Sequence, residues 1–499
     1  MPRPGGAERA PRGTRAAVVG GGIAGVAAAT VLCERGVDVT LIEKEPGLGG
    51  RAGGFKSTLV TGEAFEMERG FHAFFAQYYN LRSLLRRFDP QLSFLRRLDD
   101  YPILGPSGMV QSFAGLPKMP PLPVLALAWR SPYLHASEVV RTNARAALEM
   151  LRFDAERTYR RFDAMRASTY LDSLAFPPDA RRMLFNVFSH SFFNPESEMS
   201  AAELLMMFHF YMTGNVEGLI FDVARRPMPA AIWNPFSSWL CDRGVRVRTG
   251  ALALRVDRSG ASRFRVTHSG GQDEVDLLVL ALDVASLQKL VTGSPDLGPL
   301  AARVATLGVT RPFAVWRLWL DRALAPHRAP FAGTTGVGLL DNISIYDRFQ
   351  DESQAWARAH GGSVVELHAY AVPPGIDEDA LKADLLTSFH SFYGEAAESR
   401  IVDQVFLLRQ DCPAFPPGGH VVRPGVETPL AGLALAGDFV AMPIPCALME
   451  RAAASGFLAA NTVLAPLGVM AQPLRSVPSQ GLLSPLRIGR SALAQNTHP

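Results

Sequence analysis

Gly20, Gly22 and Gly25 fall in the spacing Gly-x-Gly-x-x-Gly directly after a short apolar run, Ala16 to Val19, and Glu43 follows twenty-three positions after Gly20. This combination suits a dinucleotide. The first glycine permits a tight turn and the second lets the backbone approach a pyrophosphate. The third lets a helix pack on a sheet, so that the helix N-terminus faces the phosphate charge. Glu43, with Lys44 beside it, is placed to accept hydrogen bonds from ribose hydroxyls. Ala29, Leu32, Gly36 and Val39 stand where the first helix and second strand of a βαβ unit need them.

The stretch "GLGGR", Gly47 to Arg51, indicates which dinucleotide. Gly49 and Gly50 add backbone donors, and Arg51 adds a fixed cation for a pyrophosphate held along its length. A permanently bound flavin requires this, whereas a nicotinamide must leave; the expected cofactor is FAD. Near the other end, "GLALAG" supplies a last strand, and Gly437-Asp438 offers a carboxylate to a ribityl hydroxyl. The helix that follows, Ala447 to Leu464 with Met449 in its first turn, aims its positive end at the flavin pyrimidine carbonyls. Gly70 and Phe71 are expected to continue the flavin contact, and Val256 to offer its backbone to adenine.

The elements that must position these residues are scattered along the chain. The fold class expected is α/β: a discontinuous Rossmann-type FAD-binding domain from 16–90, 232–299 and 396–466, with a second α+β substrate domain from 91–231 and 300–395. Alternating residues over 240–258 and 263–283 predict strands, and apolar spacing over 137–165 predicts helix. "FAVWRLWLDR" and "GSVVELHAYAV" read as strands of the second domain. Residues 1–15 are expected to be flexible, and 467–499 to form a loosely ordered tail able to fold back on the body. No internal repeat is present.

Composition sets outer limits. Of 499 residues 48% are apolar, and the net charge is only +3, which gives no basis for a nucleic-acid partner. Four cysteines without paired spacing argue against a disulfide framework and a zinc site, and no metal is expected. No uncharged apolar run reaches eighteen residues, so membrane contact is expected to be peripheral and the chain reads as cytoplasmic. "KMPPLPVLALAWRSPYL", 118–134, fits either an interfacial segment or a loop with a buried helix.

Two longer stretches carry a resemblance: "MERGFHAFFAQYYNLRSLLRRFDP" (67–90) and "DCPAFPPGGHVVRPGVETPLAGLALAGDFVAMPIPCALMERAA" (411–453). With "LDNISIYDRF" and "GGSVVELHAYA" they resemble the bacterial carotenoid ring desaturase/methyltransferases, the isorenieratene synthase group. That group is similar to phytoene desaturases and, more distantly, to FAD-dependent amine oxidases. The resemblance implies an enzyme of the inner membrane face that converts the β-ionone ring of a carotene to a trimethylphenyl ring. Four hydrogens leave per ring, one methyl shifts, and oxygen or a quinone reoxidises the flavin. The family pattern GFHxFFRQYY has an arginine where this chain has Ala76, a departure that bears on ring preference.

Such chemistry needs a base. His72 is the first candidate, since histidine titrates near neutrality; a histidine that only hydrogen-bonds to the flavin or a backbone carbonyl fits equally. Glu68 and Asp411 are weaker candidates, for which salt bridges are the alternative. Phe71, Phe74, Phe75, Tyr78 and Tyr79, and further on Phe188, Phe192, Phe193, Phe208 and Phe210, either line an apolar tunnel or belong to the core. Rival readings are a linear-carotene desaturase or isomerase, an amine oxidase, and a non-catalytic prenyl-binding protein of the Rab GDP-dissociation-inhibitor plan.

Overall fold

The computed structural model describes residues 6–120, 122–131, 143–183, 190, 192–260 and 263–484. Among them, a parallel five-stranded sheet forms from far-separated pieces. In spatial order it runs Arg246–Arg248, Asp38–Ile42, Arg15–Val19, Leu277–Leu280 and Leu433–Leu435. Val19 lies opposite both Ile42 and Leu280, which brings three chain segments to one sheet edge. Apart from the edge strand Arg246–Arg248, these strands are almost wholly buried and mostly apolar, as a parallel sheet covered on both faces requires.

The first helix, Ile23–Glu34, and the last long helix, Leu448–Leu464, pack together on this sheet. Their approach is unusually close. A Cβ added at Gly456 would lie 2.2 Å from the carbonyl oxygen of Ala24, so only glycine fits the crossing.

A second, seven-stranded sheet runs in the order Ile401–Arg409, Phe313–Leu320, Ser363–Ala369, Asn342–Ile345, Phe331–Thr334, Ile103–Leu104 and Val110–Gln111. Ile401–Arg409 falls inside the segment assigned above to the dinucleotide domain. That assignment is corrected: the strand pairs antiparallel with Phe313–Leu320, and its sheet neighbour rather than its chain neighbour decides where it belongs. A small third sheet runs in the order Phe74–Phe75, Phe221–Ala224 and Leu95–Leu98.

Both ends of the described chain are tied down: residues 6–15 are held, the tail over 467–484 folds back on the body, and 1–5 and 485–499 lie outside the described residues. Ala7 N donates to Gly468 O at 3.0 Å and Ala7 O accepts from Met470 N at 2.9 Å, and Arg475 N donates to Asn80 Oδ1 at 3.0 Å. Further on, Gly481 N donates to the carbonyl of Phe153.

His209 clamps the same tail. Its Nε2–H donates to the Pro478 carbonyl at 2.8 Å, and its ring stacks on Phe153 at 4.4 Å. Burial pushes its pKa down to about 4, the Pro478 carbonyl opposing this only in part. The unfolded chain therefore takes up a proton near pH 6.5 that the folded chain refuses until about pH 4, and stability falls as pH is lowered through that window. His209→Gln, which keeps a donor for Pro478, should lose about 2 kcal/mol less than the parent between pH 7 and pH 5. Urea unfolding at the two pH values checks this; equal losses would rule out His209 as the group.

Candidate functional site

Gly20 has φ +108, and a Cβ there would lie 2.3 Å from the Ala281 carbonyl oxygen, so the turn after the first strand admits no side chain. The second glycine turn docks on the first: Gly49 N donates to Gly21 O at 2.8 Å, and Gly22 bridges to Gly49. Two chains of amides thus meet at the N-terminus of the Ile23–Glu34 helix. This concentrates donors and positive dipole at one place.

These turns open into a cavity of about 1400 Å³, larger than the roughly 300–1,000 Å³ of an ordinary small-molecule site. Its lining has two chemistries. Near the glycine turns stand Glu43, Lys44, Arg51, Asp283 and Asp438; elsewhere the wall is rich in aromatic side chains, with a polar group at Asp341, Asn342 and His368. Phe71 stacks on Phe331 at 4.4 Å, Phe221 meets Phe71 and Tyr101, and Phe193 meets Tyr370 at 4.7 Å. The cavity therefore has room and chemistry for a polar dinucleotide and, beside it, a large apolar molecule.

The polar residues are already oriented. Glu43 accepts from Gly21 N at 2.5 Å and from Glu45 N at 2.8 Å, which fixes its carboxylate beneath the first turn. Arg51 and Asp438, expected to serve separate parts of the cofactor, are paired at 2.5 Å. Burial works against the Arg51 charge, and Asp438 together with the neighbouring Asp411 outweighs it, so the guanidinium stays charged. Asp411 Oδ2 pairs with Arg69 at 3.1 Å, while its Oδ1 is buried without a hydrogen-bond partner on the wall of the cavity. An acceptor left over in this way fits a hydroxyl-rich ligand. Leu448, Met449 and Ala452 bring the start of the last long helix to the cavity, and Leu448 takes φ +49 there, a strained backbone of the kind stored at ligand sites.

Residues 23–464 match the family of flavin containing amine oxidoreductases. The chain belongs to that family. It is an FAD-dependent oxidoreductase, and FAD fits the glycine cradle, the fixed carboxylate of Glu43 and the unsatisfied oxygen of Asp411. Within the family the chain is 48% identical over 473 residues to the carotenoid phi-ring synthase of Streptomyces griseus, covering 94% of this chain and 92% of that one. It is 28% identical to the carotenoid phi-ring synthase of Chlorobaculum tepidum, covering 96% and 92%, and 22% identical to the zeta-carotene desaturase of Synechocystis sp., covering 90% and 97%. Among solved structures, a redesigned putrescine oxidase superposes with a TM-score of 0.67 at 16% identity, covering 91% of this chain and 99% of that one. At these identities the likeness is one of fold.

Of the residues expected from the sequence to contact a cofactor, Gly20, Gly22, Glu43, Lys44, Gly49, Gly50, Arg51, Gly70, Phe71, Gly437, Asp438 and Met449 line the cavity. Gly25 does not, and acts by packing: a Cβ there would lie 1.8 Å from Gly20 O. Val256 is corrected. It is fully buried away from the cavity with its amide donated to Ser294 Oγ at 2.9 Å, and Ala251 to Leu254 line the wall in its place. Ala447 caps the last long helix from behind the lining.

Of the candidate bases, Glu68 is corrected as well. It sits off the cavity in a buried network, accepting from Met228 N and Gln350 Nε2 with Arg317 3.5 Å away. Burial pushes its pKa up to about 7, and Arg317 restrains the rise only in part. His72 does line the cavity, but its Nδ1–H donates to Gly70 O at 2.7 Å, and removal from solvent lowers its pKa to about 4. It is a neutral, weakly basic imidazole. Phe71, Phe75, Tyr78, Phe192 and Phe193 line the cavity, whereas Phe74, Phe208 and Phe210 are core, Tyr79 faces a separate cleft, and Phe188 lies outside the described residues.

Sequence reasoning missed the cavity-lining polar groups of the second sheet: Asp341, Asn342, His368 and Tyr370. A signal was present. Glu366 and His368, within the Ser363–Ala369 strand, and Tyr370 just past its end repeat at every second position, which sets them on one face.

Proposed function

We propose that the protein is a carotenoid-ring oxidoreductase that desaturates the β-ionone ring of β-carotene or γ-carotene with a 1,2-methyl shift, giving the aromatic φ end group. The observation that carries this reading is the 48% identity, along nearly the whole chain, to a carotenoid phi-ring synthase. The cavity supports it: beyond the cofactor end, aromatic side chains offer a dry wall whose π-faces stabilise a ring carbocation. A single shift from the geminal pair to the adjacent carbon gives the φ pattern directly, without a second migration.

FAD, when bound, supplies the two-electron oxidation, twice per ring. The chain's own residues do the rest. The two glycine turns and the Arg51–Asp438 pair hold the cofactor, and the start of the Leu448–Leu464 helix directs its dipole into the cavity. Phe71, Phe221 and Phe331 orient the ring and exclude water, so that the cation rearranges rather than being hydrated.

Entry is proposed from the inner membrane face, with oxygen or a quinone as the final acceptor. No helix among the described residues is long and apolar enough to cross a membrane. Around the Leu122–Arg130 helix, Leu127 reaches the cavity, while Trp129 is 90% exposed and Met119, just before the helix, 67%, which supports an interfacial role for this segment. An apolar surface adjoining a cavity for an apolar substrate suits a peripheral membrane contact.

Expression in β-carotene-producing bacteria, with pigment analysis by chromatography and mass detection, tests the function. Products lighter by four or eight hydrogens with aromatic end groups are expected. Unchanged β-carotene in cells holding folded, yellow protein would overturn the reading, and conversion of ζ-carotene in its place would favour a linear-carotene desaturase.

A further inference from the structure

The proposed ring chemistry releases protons, and the residues first considered as acceptors are less suited: Glu68 is off the cavity, His72 has no carboxylate bonded to it, and Asp411 is paired with Arg69 at 3.1 Å and is read above as a contact to the cofactor. The second sheet carries a better arrangement. Tyr370 OH is 2.8 Å from His368 Nδ1, and His368 Nε2 is 2.7 Å from Glu366 Oε1. Glu366 in turn is held by Arg317 through Nε at 2.9 Å and Nη2 at 2.8 Å, and by Tyr346 OH at 3.0 Å. Tyr370 and His368 line the cavity, whereas Glu366 and Arg317 are fully buried.

The chemistry of the end members fixes the protons. Burial alone would raise the Glu366 pKa, but Arg317 and His368 hold it down to about 2, so the carboxylate only accepts. His368 Nε2 therefore carries hydrogen, and in the neutral ring Nδ1 is the acceptor for the Tyr370 hydroxyl. Asn342 Nδ2 donates to Tyr370 OH at 2.8 Å, which aligns the phenol and leaves its second lone pair for a proton arriving from the cavity. The other carboxylate of this wall, Asp341, is already engaged by His190 Nδ1 at 2.7 Å and Tyr370 N at 2.5 Å.

We propose that Tyr370 is the catalytic proton acceptor of the ring desaturation, with His368 and Glu366 as positioning residues behind it. This rests on the carotene-ring reading above. Bound FAD would supply the oxidant that removes a hydride and leaves a ring cation; a C–H bond next to that cation then breaks. Its electron pair becomes the new ring double bond, the proton goes to Tyr370 O, and the hydroxyl proton moves to His368 Nδ1. The imidazolium so formed lies against the Glu366 carboxylate. The proton returns by the same path when the cavity reopens to water. Burial keeps the phenol well above its usual pKa, so Tyr370 works as a relay and not as a standing phenolate.

The test uses purified holoenzyme mixed anaerobically with β-carotene in detergent micelles; the rate at which the desaturated product appears by mass reads the proton step, and loss of flavin absorbance shows separately that the substrate reacts. Tyr370→Phe, which keeps the ring and its contact with Phe193, should retain full flavin content yet proceed at least about 100-fold more slowly, the contribution typical of general base catalysis. His368→Gln should slow it comparably, and the double variant no further, because the groups act as one unit. A readout independent of turnover is the histidine ¹⁵N spectrum, in which one Nε2–H tautomer should lose its Nδ1 hydrogen bond in Tyr370→Phe. If the parent reacts and Tyr370→Phe stays within about threefold of it, or if the two losses multiply, the relay is overturned and the function stands. If neither β-carotene nor γ-carotene reduces the parent flavin, both proposals fall together.

Discussion

Gly25→Ala is expected to give a protein without bound FAD and with more than about 4 kcal/mol of its stability lost, an effect far beyond that of an ordinary helix substitution. A Cβ at Gly25 would stand 1.8 Å from the Gly20 carbonyl oxygen, a backbone atom that cannot rotate away. Relief requires moving the Ile23–Glu34 helix, yet every residue from Ile23 to Leu32 is buried. Its partner helix already approaches so closely at Gly456 that no Cβ fits there either. The displaced helix takes its N-terminal amides with it, and these are the donors that a pyrophosphate needs. Gly298→Ala, whose new Cβ meets nothing within 4 Å, serves as the control and should stay yellow. Absorbance at the flavin band and urea unfolding read both effects; a yellow Gly25→Ala protein of parental stability would show that the helix does have room to move.

The same contact explains why the dinucleotide half was legible in the sequence. Gly20, Gly22, Gly25 and Glu43 act within one βαβ unit, so local spacing encodes their geometry. The Tyr370 relay is built across strands, where Ser344 lies opposite Glu366 and Asn342 opposite His368. Such registers are set by pairing partners remote in the chain, and the strand carries its polar residues on the face that local patterning assigns to the core. Ile401–Arg409 was misplaced for the same reason. Its chain position points to one sheet and its hydrogen bonds to the other. Val256 sits in a strand of the expected type at a position turned into the core, a difference of only a few residues from the wall at Ala251 to Leu254. The tail lacked an apolar pattern, but backbone and histidine bonds hold it, and composition does not record those.

Loss of one buried carboxylate should be nearly as damaging as the glycine change. Glu203, fully buried, pairs with Arg423 Nη2 at 2.6 Å and Arg451 Nη2 at 3.0 Å. Burial alone would favour its neutral form, but the two guanidinium groups hold its pKa well below the usual carboxylate range. Both arginines also lie over the ring of Phe415, at 4.6 and 4.8 Å. Glu203→Gln leaves two charges in the core with no counter-ion, for which the expected cost is about 3–5 kcal/mol. Function should suffer first. Arg451 belongs to the opening turns of the Leu448–Leu464 helix, whose Leu448, Met449 and Ala452 line the cavity, and its Nε holds the Cys446 carbonyl at 2.9 Å. Urea titration of Glu203→Gln should therefore release flavin fluorescence at a lower concentration than it unfolds the helices, whereas the parent should lose both together. Removing all three charges in a Glu203→Leu, Arg423→Leu, Arg451→Leu variant should recover much of the stability, because the penalty lies in the unpaired charges rather than in the loss of an attraction. A triple variant no better than Glu203→Gln would show instead that the hydrogen bonds of the arginines, and not their charge balance, hold this helix to the cavity.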